Sequence, residues 1–201
     1  MPAPVFPFPC RGLPELDLSD PALNCLRAED LAARVDAVRG AAPACWGGWG
    51  ERRELYTGSG LFAGEEEPRT VHLGVDVWSD AGTPVAAPVA GTVHSLADNA
   101  AFGDYGPTVI LAHEGFWTLY GHLSRAALAG LVPGRRVAAG EVFAFLGGVH
   151  ENGGWPPHLH FQRIQDLMGR AGDFPGVCAP SQRDTWLVRC PDPRPLLLGG
   201  D

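Results

Sequence analysis

The sequence predicts a mainly β domain with an antiparallel sheet and a small N-terminal helical extension. The 201 residues include 27 glycines and 19 prolines, a composition that favours many turns over long helices. From Thr70 to about Ile164, short β-branched and aromatic runs alternate with turn residues at the roughly 8–12-residue spacing typical of all-β domains. Hydrophobic residues make up 45% of the chain, which is enough for one sizeable core.

The N-terminal part of the chain predicts an extension that holds one helix or two short ones. Residues 1–18 are rich in proline and are expected to be extended. Ser19 or Asp20 is a candidate helix N-cap, and apolar residues recur from there to Val38 at helical spacing. Tryptophans and glycines then give residues 41–70 the character of a loop.

The β region contains a series of predicted strands separated by turn residues. They are Val71–Trp78, Pro84–Ala87, Gly91–Leu96, Thr108–His113, Trp117–His122, Arg136–Ala138, Val142–Leu146 and His158–Ile164. We therefore divide the chain into an N-terminal extension at 1–69, a β core at 70–164 and a C-terminal tail at 165–201. The tail is rich in proline and aspartate, and we expect it to pack irregularly on the core.

Composition and charge exclude several classes of function. The 23 acidic residues outnumber the 15 basic ones and give a net charge of −8, whereas nucleic-acid-binding surfaces are basic. The sequence contains no lysine, which excludes Schiff-base chemistry, a phosphate-loop lysine and a biotin or lipoyl carrier. Because the net charge is negative, we expect no nucleic-acid partner. No apolar run reaches the ~18 residues of a spanning helix, so we also expect no membrane span.

The N-terminus and the cysteines bear on the cellular compartment. Residues 1–9 lack the basic region and the apolar run of a secretory signal, so we expect a cytoplasmic protein. The periplasm or the cell wall is the alternative if the N-terminus has been trimmed. The five cysteines are scattered without a close pair, which is typical of reduced, buried thiols rather than of a zinc ribbon or a disulfide framework.

The segment HLGVD, from His72 to Asp76, is the first candidate site motif. In an extended strand, positions i and i+4 project from the same face, so His72 and Asp76 would flank Gly74. Because glycine has no side chain, this spacing leaves room for an ion between an imidazole and a carboxylate. A helix would also bring the two side chains to one face, so the motif alone is a weak indication of a metal site.

Two further motifs add histidines to the same β region. His158 and His160 share one face of a predicted strand while Leu159 and Phe161 share the other, although any surface strand would show this alternation. His122, in the segment YGHLS, taken alone suits a structural histidine at a strand end. Catalytic zinc sites combine histidine nitrogens and carboxylate oxygens as three protein ligands and keep one position open. No HExxH segment occurs, which excludes a helical site of the thermolysin type.

In their order and separation, these motifs resemble the lysostaphin-type, or LytM-like, zinc endopeptidases, which cut the peptide cross-links of peptidoglycan. The resemblance covers about residues 70–164. The matching segments are HLGVD at 72–76, GTPVAAPVAGTV at 82–93, YGHLS at 120–124, PGRRVAAGEVFAFLG at 133–147 and PHLHF at 157–161.

The resemblance implies a fold, a cofactor and a role for each candidate residue. The core would be an antiparallel β-roll of the LytM-like peptidase type, and His72, Asp76 and His160 would hold one Zn²⁺. His122 and His158 would be catalytic residues near the scissile amide. The implied activity is hydrolysis of peptide bonds, in peptidoglycan cross-links or related short peptides, by a zinc-activated water.

Departures from the family pattern leave alternatives open. Residues 151–156 stand where the family often has a Thr/Ser/Gly-rich turn, and Gln162 stands where glutamate is common. We expect neither to touch a ligand, although the first reshapes the groove. One alternative function is a non-catalytic zinc-binding scaffold or activator. Another is a cytosolic module working with phosphotransferase or aminotransferase partners, because residues 51–57 and 173–186 look similar to LytM-like domains fused to such enzymes.

Overall fold

The computed structural model describes residues 1–20, 28–58, 60–63 and 66–198. Antiparallel strands dominate these residues, as the sequence predicts. The strands are β1 Cys45–Gly47, β2 Val71–His72, β3 Val75–Trp78, β4 Pro84–Ala86, β5 Gly91–Asn99, β6 Gly106–His113, β7 Phe116–Gly121, β8 Arg136–Val137, β9 Val142–Phe145, β10 His158–Ile164 and β11 Val177–Cys178. The main sheet has the order β1-β3-β10-β7-β6-β5-β8, while β4 pairs with β9 and β11 pairs with β2.

Helices are short and lie outside the main sheet. Within the described ranges they are α1 Ala28–Arg39, α2 Arg125–Ala129, α3 Arg183–Arg189 and α4 Arg194–Leu197, with 3₁₀ turns at Glu54–Gly58, Gly60–Phe62 and Pro180–Gln182. α1 provides the predicted N-terminal helix, and the candidate N-caps Ser19 and Asp20 border residues 21–27, which lie outside the described part. No helix of that part has both the length and the apolar character needed to cross a membrane.

The structure corrects the sequence interpretation at three places. The predicted strand Val71–Trp78 is broken at Leu73 and Gly74, so that β2 pairs with β11 while β3 joins the main sheet. The loop predicted at 41–70 contains β1, which pairs with β3 at the sheet edge. The tail at 165–201 contains β11, α3 and α4 and is therefore more regular than expected. Strands of two or three residues and a helix of seven are too short to show a hydrophobic periodicity in the sequence.

The proline-rich N-terminal segment is extended, as predicted, but it also contributes to the core. Val5, Phe6 and Cys10 are buried against the main sheet, while Leu16 and Leu18 pack in a second cluster beneath the candidate site. The Ala86 N–H donates a hydrogen bond to the carbonyl of Val5, which ties the segment to β4. Cys10, Cys45, Cys178 and Cys190 are buried and free, and Cys25 lies outside the described residues.

Truncation of Phe6 tests whether the N-terminal segment is part of the folded unit. Phe6 is 4% exposed, so Phe6→Ala should lower the free energy of unfolding by about 3–5 kcal/mol. Phe8 stacks on Phe6 but is only half-buried, and Phe8→Ala is the matched control with a smaller expected loss. Urea unfolding curves measure both. Equal, small losses would contradict an integral role for the segment.

Candidate metal centre

Strand β10 carries the centre of the candidate site, because its two neighbours in the sheet, β3 and β7, bring Asp76 and His122 to it. His160 lies opposite Asp76 of β3 on one side and opposite Gly121 of β7 on the other. His122 follows Gly121 directly. His72 ends β2, which precedes β3 in the chain and pairs with β11. All the site residues predicted from the sequence, His72, Asp76, His122, His158 and His160, line one cavity of about 280 Å³.

Three of these side chains point at one another. His160 Nδ1 lies 2.9 Å from His72 Nε2 and 3.2 Å from Asp76 Oδ1, and the third separation, from His72 Nε2 to Asp76 Oδ1, is 3.3 Å. All three residues are buried. Burial acts to raise the pKa of Asp76, but its contacts with His72 and Arg53 outweigh burial and hold that pKa well below its usual range. The carboxylate is therefore ionised.

The protonation of His72 follows from its partners. Its Nδ1 lies 2.9 Å from the carbonyl oxygen of Gly48, which can only accept, so Nδ1–H is the donor. Burial, followed by the positive charge of Arg53, lowers the pKa of His72 to about 4, so the ring is neutral at pH 7. Nε2 therefore presents a lone pair to Asp76 and His160.

His160 has the opposite tautomer. Its Nε2 lies 2.9 Å from Gln162 Oε1, and the amide orientation of Gln162 follows from its Nε2, which donates to the carbonyl of Pro175. Nε2–H of His160 is then a donor, and its Nδ1 is the nitrogen that faces Asp76 and His72. This contact corrects the expectation that Gln162 touches no candidate ligand: residues i and i+2 of a strand share a face.

Two imidazole nitrogens and a carboxylate oxygen thus converge at 2.9–3.3 Å. With all three deprotonated, as metal ligands must be, they would repel one another in a buried site unless a cation lay among them. The arrangement of His72, Asp76 and His160 is therefore one that could hold a metal ion.

Gly74 makes this approach possible. A Cβ at Gly74 would lie 2.7 Å from the Cε1 and Nε2 atoms of His160 and 2.8 Å from the carbonyl oxygen of Phe161. The sequence predicts that Gly74 leaves room for an ion between His72 and Asp76. In the structure the ring of His160 lies beside Gly74.

His122 and His158 form a second pair beside the three converging residues. Nδ1 of His122 is 2.8 Å from the carbonyl of Asn152, and Nδ1 of His158 is 2.7 Å from that of Pro156. Burial lowers the pKa of both rings, and the proximity of His158 lowers that of His122 further. Both are therefore neutral, with Nε2 unprotonated. The ring centroids lie 4.0 Å apart, and Nε2 of His158 is 3.9 Å from Asp76 Oδ1.

The backbone of His122 is held in a left-handed conformation that aims its ring into the cavity. Its φ is 61°, a region that costs a non-glycine residue about 1–3 kcal/mol. The His122 N–H donates to the carbonyl of Tyr105, and the Gly147 N–H donates to the carbonyl of His122. These hydrogen bonds fix the conformation on both sides, so the ring is positioned by the ends of two loops.

Sequence reasoning missed two residues whose side chains contact the candidate ligands, and a third that holds one of these two. Arg53 donates to Asp76, and Glu51 accepts from Arg53. Tyr105 places its hydroxyl 3.3 Å from Nε2 of His160. The composition near Arg53 resembles an ordinary charged surface segment, and no spacing marks the arginine as buried. No pattern in the sequence marks Tyr105 either. Its ring packs against Gly121, where a Cβ would lie only 2.6 Å from it.

Replacement of Gly74 tests the close approach of His160. Gly74→Ala should displace the His160 ring and cost about 1–3 kcal/mol of stability, as overpacking does. Gly130→Ala is the matched control, because Gly130 has a φ of −97° and no atom within 4 Å of its Cβ position. Thermal unfolding of both variants, with and without added metal, is the measurement. A Gly74→Ala protein as stable as the control would contradict the geometry.

Comparison with known proteins identifies the family of this chain. Residues 70–171 match peptidase family M23. An uncharacterized metalloprotease of Haemophilus influenzae is 39% identical over 127 residues, which cover 59% of this chain and 25% of that protein. This chain therefore spans about a quarter of that relative's length.

Solved structures of peptidases are also similar to it. The catalytic domain of the antimicrobial peptidase lysostaphin from Staphylococcus simulans has a TM-score of 0.44 and 25% identity over 64% of this chain and 80% of that one. The catalytic domain of the prophage-encoded M23 protein EnpA from Enterococcus faecalis has a TM-score of 0.46 and 22% identity over 68% and 94%. Since the family match spans half of its residues, this chain belongs to peptidase family M23.

Proposed function

We propose that this protein is a zinc-dependent metalloendopeptidase that hydrolyses peptide bonds in peptidoglycan cross-links or related short peptides. The observation that supports it most is the convergence of three possible ligand atoms, from His72, Asp76 and His160, beside two neutral histidines. This residue set is the two-histidine, one-carboxylate type found in catalytic zinc sites.

The donor set fits zinc in both chemistry and spacing. Two ligands that are each about 2.0–2.1 Å from a tetrahedral Zn²⁺ lie roughly 3.3 Å apart. The observed separations of 2.9, 3.2 and 3.3 Å require only a slight outward movement of His72 and His160. Zinc bound by these residues would supply Lewis-acid chemistry, which activates water as a nucleophile and polarises the scissile carbonyl.

His122 and His158 would carry the protons of the reaction. Each ring has its Nδ1–H engaged by a backbone carbonyl, so each Nε2 is free to accept a proton from the attacking water. The resulting imidazolium can stabilise the developing oxyanion and then donate its Nε2 proton to the leaving amine. Burial keeps both rings neutral beforehand, which suits the first of these steps.

Loss of a ligand should remove the metal. Asp76→Ala and His160→Ala should each reduce zinc from one ion per chain to well below that, because only two of the three donors would remain. Asp80→Ala is the control, since Asp80 is a neighbouring carboxylate that pairs with Arg39 at the surface. Metal analysis of the purified proteins is the measurement. Stoichiometric zinc in both ligand variants would rule out the assignment.

Loss of a proton carrier should leave the metal and remove the activity. His122→Ala and His158→Ala should each retain zinc but cut ~10²–10³-fold more slowly, which is the usual cost of one positioned group in the transition state. His94→Ala is the control, because His94 is exposed on β5 away from the cavity.

The assay is mass spectrometry of peptidoglycan fragments and short peptides, after an active wild type has been shown. Metal loss in His158→Ala, or near wild-type rates in either variant, would contradict this division of roles. A wild-type protein that holds zinc but cuts nothing would instead indicate a non-catalytic scaffold or activator.

A further inference from the structure

Arg53 is a buried arginine that lies outside the residues matched to the family. It is 1% exposed, and the described residues around it provide two carboxylates and a phenol. Its Nε is 2.5 Å from Glu51 Oε2, while its Nη1 is 2.5 Å from Asp76 Oδ2 and 2.9 Å from the hydroxyl of Tyr56. A buried charge is costly to desolvate, so this arrangement needs a reason beyond stability.

The contact with Arg53 divides the two oxygens of Asp76 between two tasks. Oδ2 accepts from Arg53, while Oδ1 faces His72 and His160 at 3.3 and 3.2 Å. A carboxylate held in this way presents one oxygen to a metal. Without the guanidinium, the carboxylate could rotate and offer both oxygens, which would occupy a further coordination position.

The same segment of chain also orients His72. The carbonyl of Gly48 accepts from Nδ1 of His72, and backbone hydrogen bonds connect the segment to β2 on either side of that residue. They run from Gly50 N–H to the His72 carbonyl, from His72 N–H to the Glu51 carbonyl and from Arg53 N–H to the Thr70 carbonyl. One short stretch therefore fixes the orientation of two candidate ligands.

Two contacts hold the stretch from Gly48 to Arg53 in place. Gly48 has a φ of 93°, and a Cβ there would lie closer than a van der Waals contact to Nη2 of Arg53, so only glycine leaves room for the guanidinium. The second oxygen of Glu51 accepts from the N–H of Leu18 at 2.8 Å. The N-terminal segment thereby anchors Glu51, which in turn holds Arg53 against Asp76.

We propose that Arg53 is a positioning residue of the metal centre, and that it keeps Asp76 a one-oxygen ligand so that a coordination position stays open for water. The segment from Gly48 to Tyr56 is then part of the active centre although it precedes the family match at 70–171. This inference rests on the proposed zinc site.

Arg53→Lys is the variant that separates position from charge. Lysine keeps a cation between Glu51 and Asp76, but one ammonium cannot reproduce the fork that reaches both carboxylates. The dissociation constant of Arg53→Lys for zinc, measured by competition with a chelator, should be ~10–100-fold higher than that of the wild type. This is the usual effect of losing a partner that orients a metal ligand. The visible absorption bands of the cobalt-substituted protein should weaken, because a second oxygen of Asp76 raises the coordination number.

Arg52→Lys is the matched control. Arg52 is the neighbouring arginine, and it pairs with Glu54 at the surface rather than with Asp76, so the zinc affinity and the cobalt spectrum should match the wild type. Circular dichroism and the thermal midpoint of the metal-free proteins verify the folds. If Arg53→Lys does not fold, a crystal structure of the zinc-loaded wild type decides, with Asp76 expected to bind through Oδ1 alone.

The outcomes separate this inference from the proposed function. Wild-type affinity and an unchanged cobalt spectrum in Arg53→Lys would overturn the positioning role while leaving the zinc site intact. Two-oxygen binding by Asp76 in the zinc-loaded wild type would do the same. A wild type that fails to bind zinc would overturn the proposed function itself.

Discussion

The pairing of β10 with β3 on one side and β7 on the other is the constraint on which the site depends. Its register sets His160 opposite Asp76 and opposite Gly121, and thus fixes which side chains share the cavity. The alternation along β10 directs Leu159 and Phe161 into the core, where both are fully buried. A slip of one residue would move every histidine of β10 to the opposite face.

Hydrogen bonds to carbonyl groups then decide what each histidine can do. Each of the four histidines of the site donates one ring N–H to a carbonyl oxygen and turns its other nitrogen toward the cavity; these are His72, His122, His158 and His160. Such a nitrogen, when it carries no proton, can bind a metal or accept a proton. We propose that distance divides these roles, since His72 Nε2 and His160 Nδ1 lie 3.3 and 3.2 Å from Asp76 Oδ1, whereas Nε2 of His158 lies 3.9 Å away.

The sequence was sufficient to predict the fold class and to single out the residues that share the cavity, because strand periodicity and rare residue types are local signals. It was insufficient for the contacts that depend on distant segments. Nothing near Arg53 marks it as the partner of Asp76, which is 23 positions away. The expectation that Gln162 touches no ligand is wrong, because its side chain contacts His160. The alternation of a strand, which puts residues 160 and 162 on one face, predicts this contact.

Residues that precede the sequence motifs also contact the candidate ligands. Residues before position 70 supply a carbonyl to His72 and a guanidinium to Asp76, and the first 18 residues fill part of the core beneath them. We propose that the peptidase unit includes these residues, so that the N-terminal extension and the β core function together.

We propose that His72, Asp76 and His160 surround one zinc ion. Zinc K-edge X-ray absorption of the stoichiometrically loaded wild-type protein is the decisive measurement, because the technique identifies the ligand atoms. We expect nitrogen and oxygen ligands at about 2.0–2.2 Å, with the outer scattering of two imidazole rings. A sulfur shell at about 2.3 Å, or scattering from fewer than two imidazoles, would contradict it.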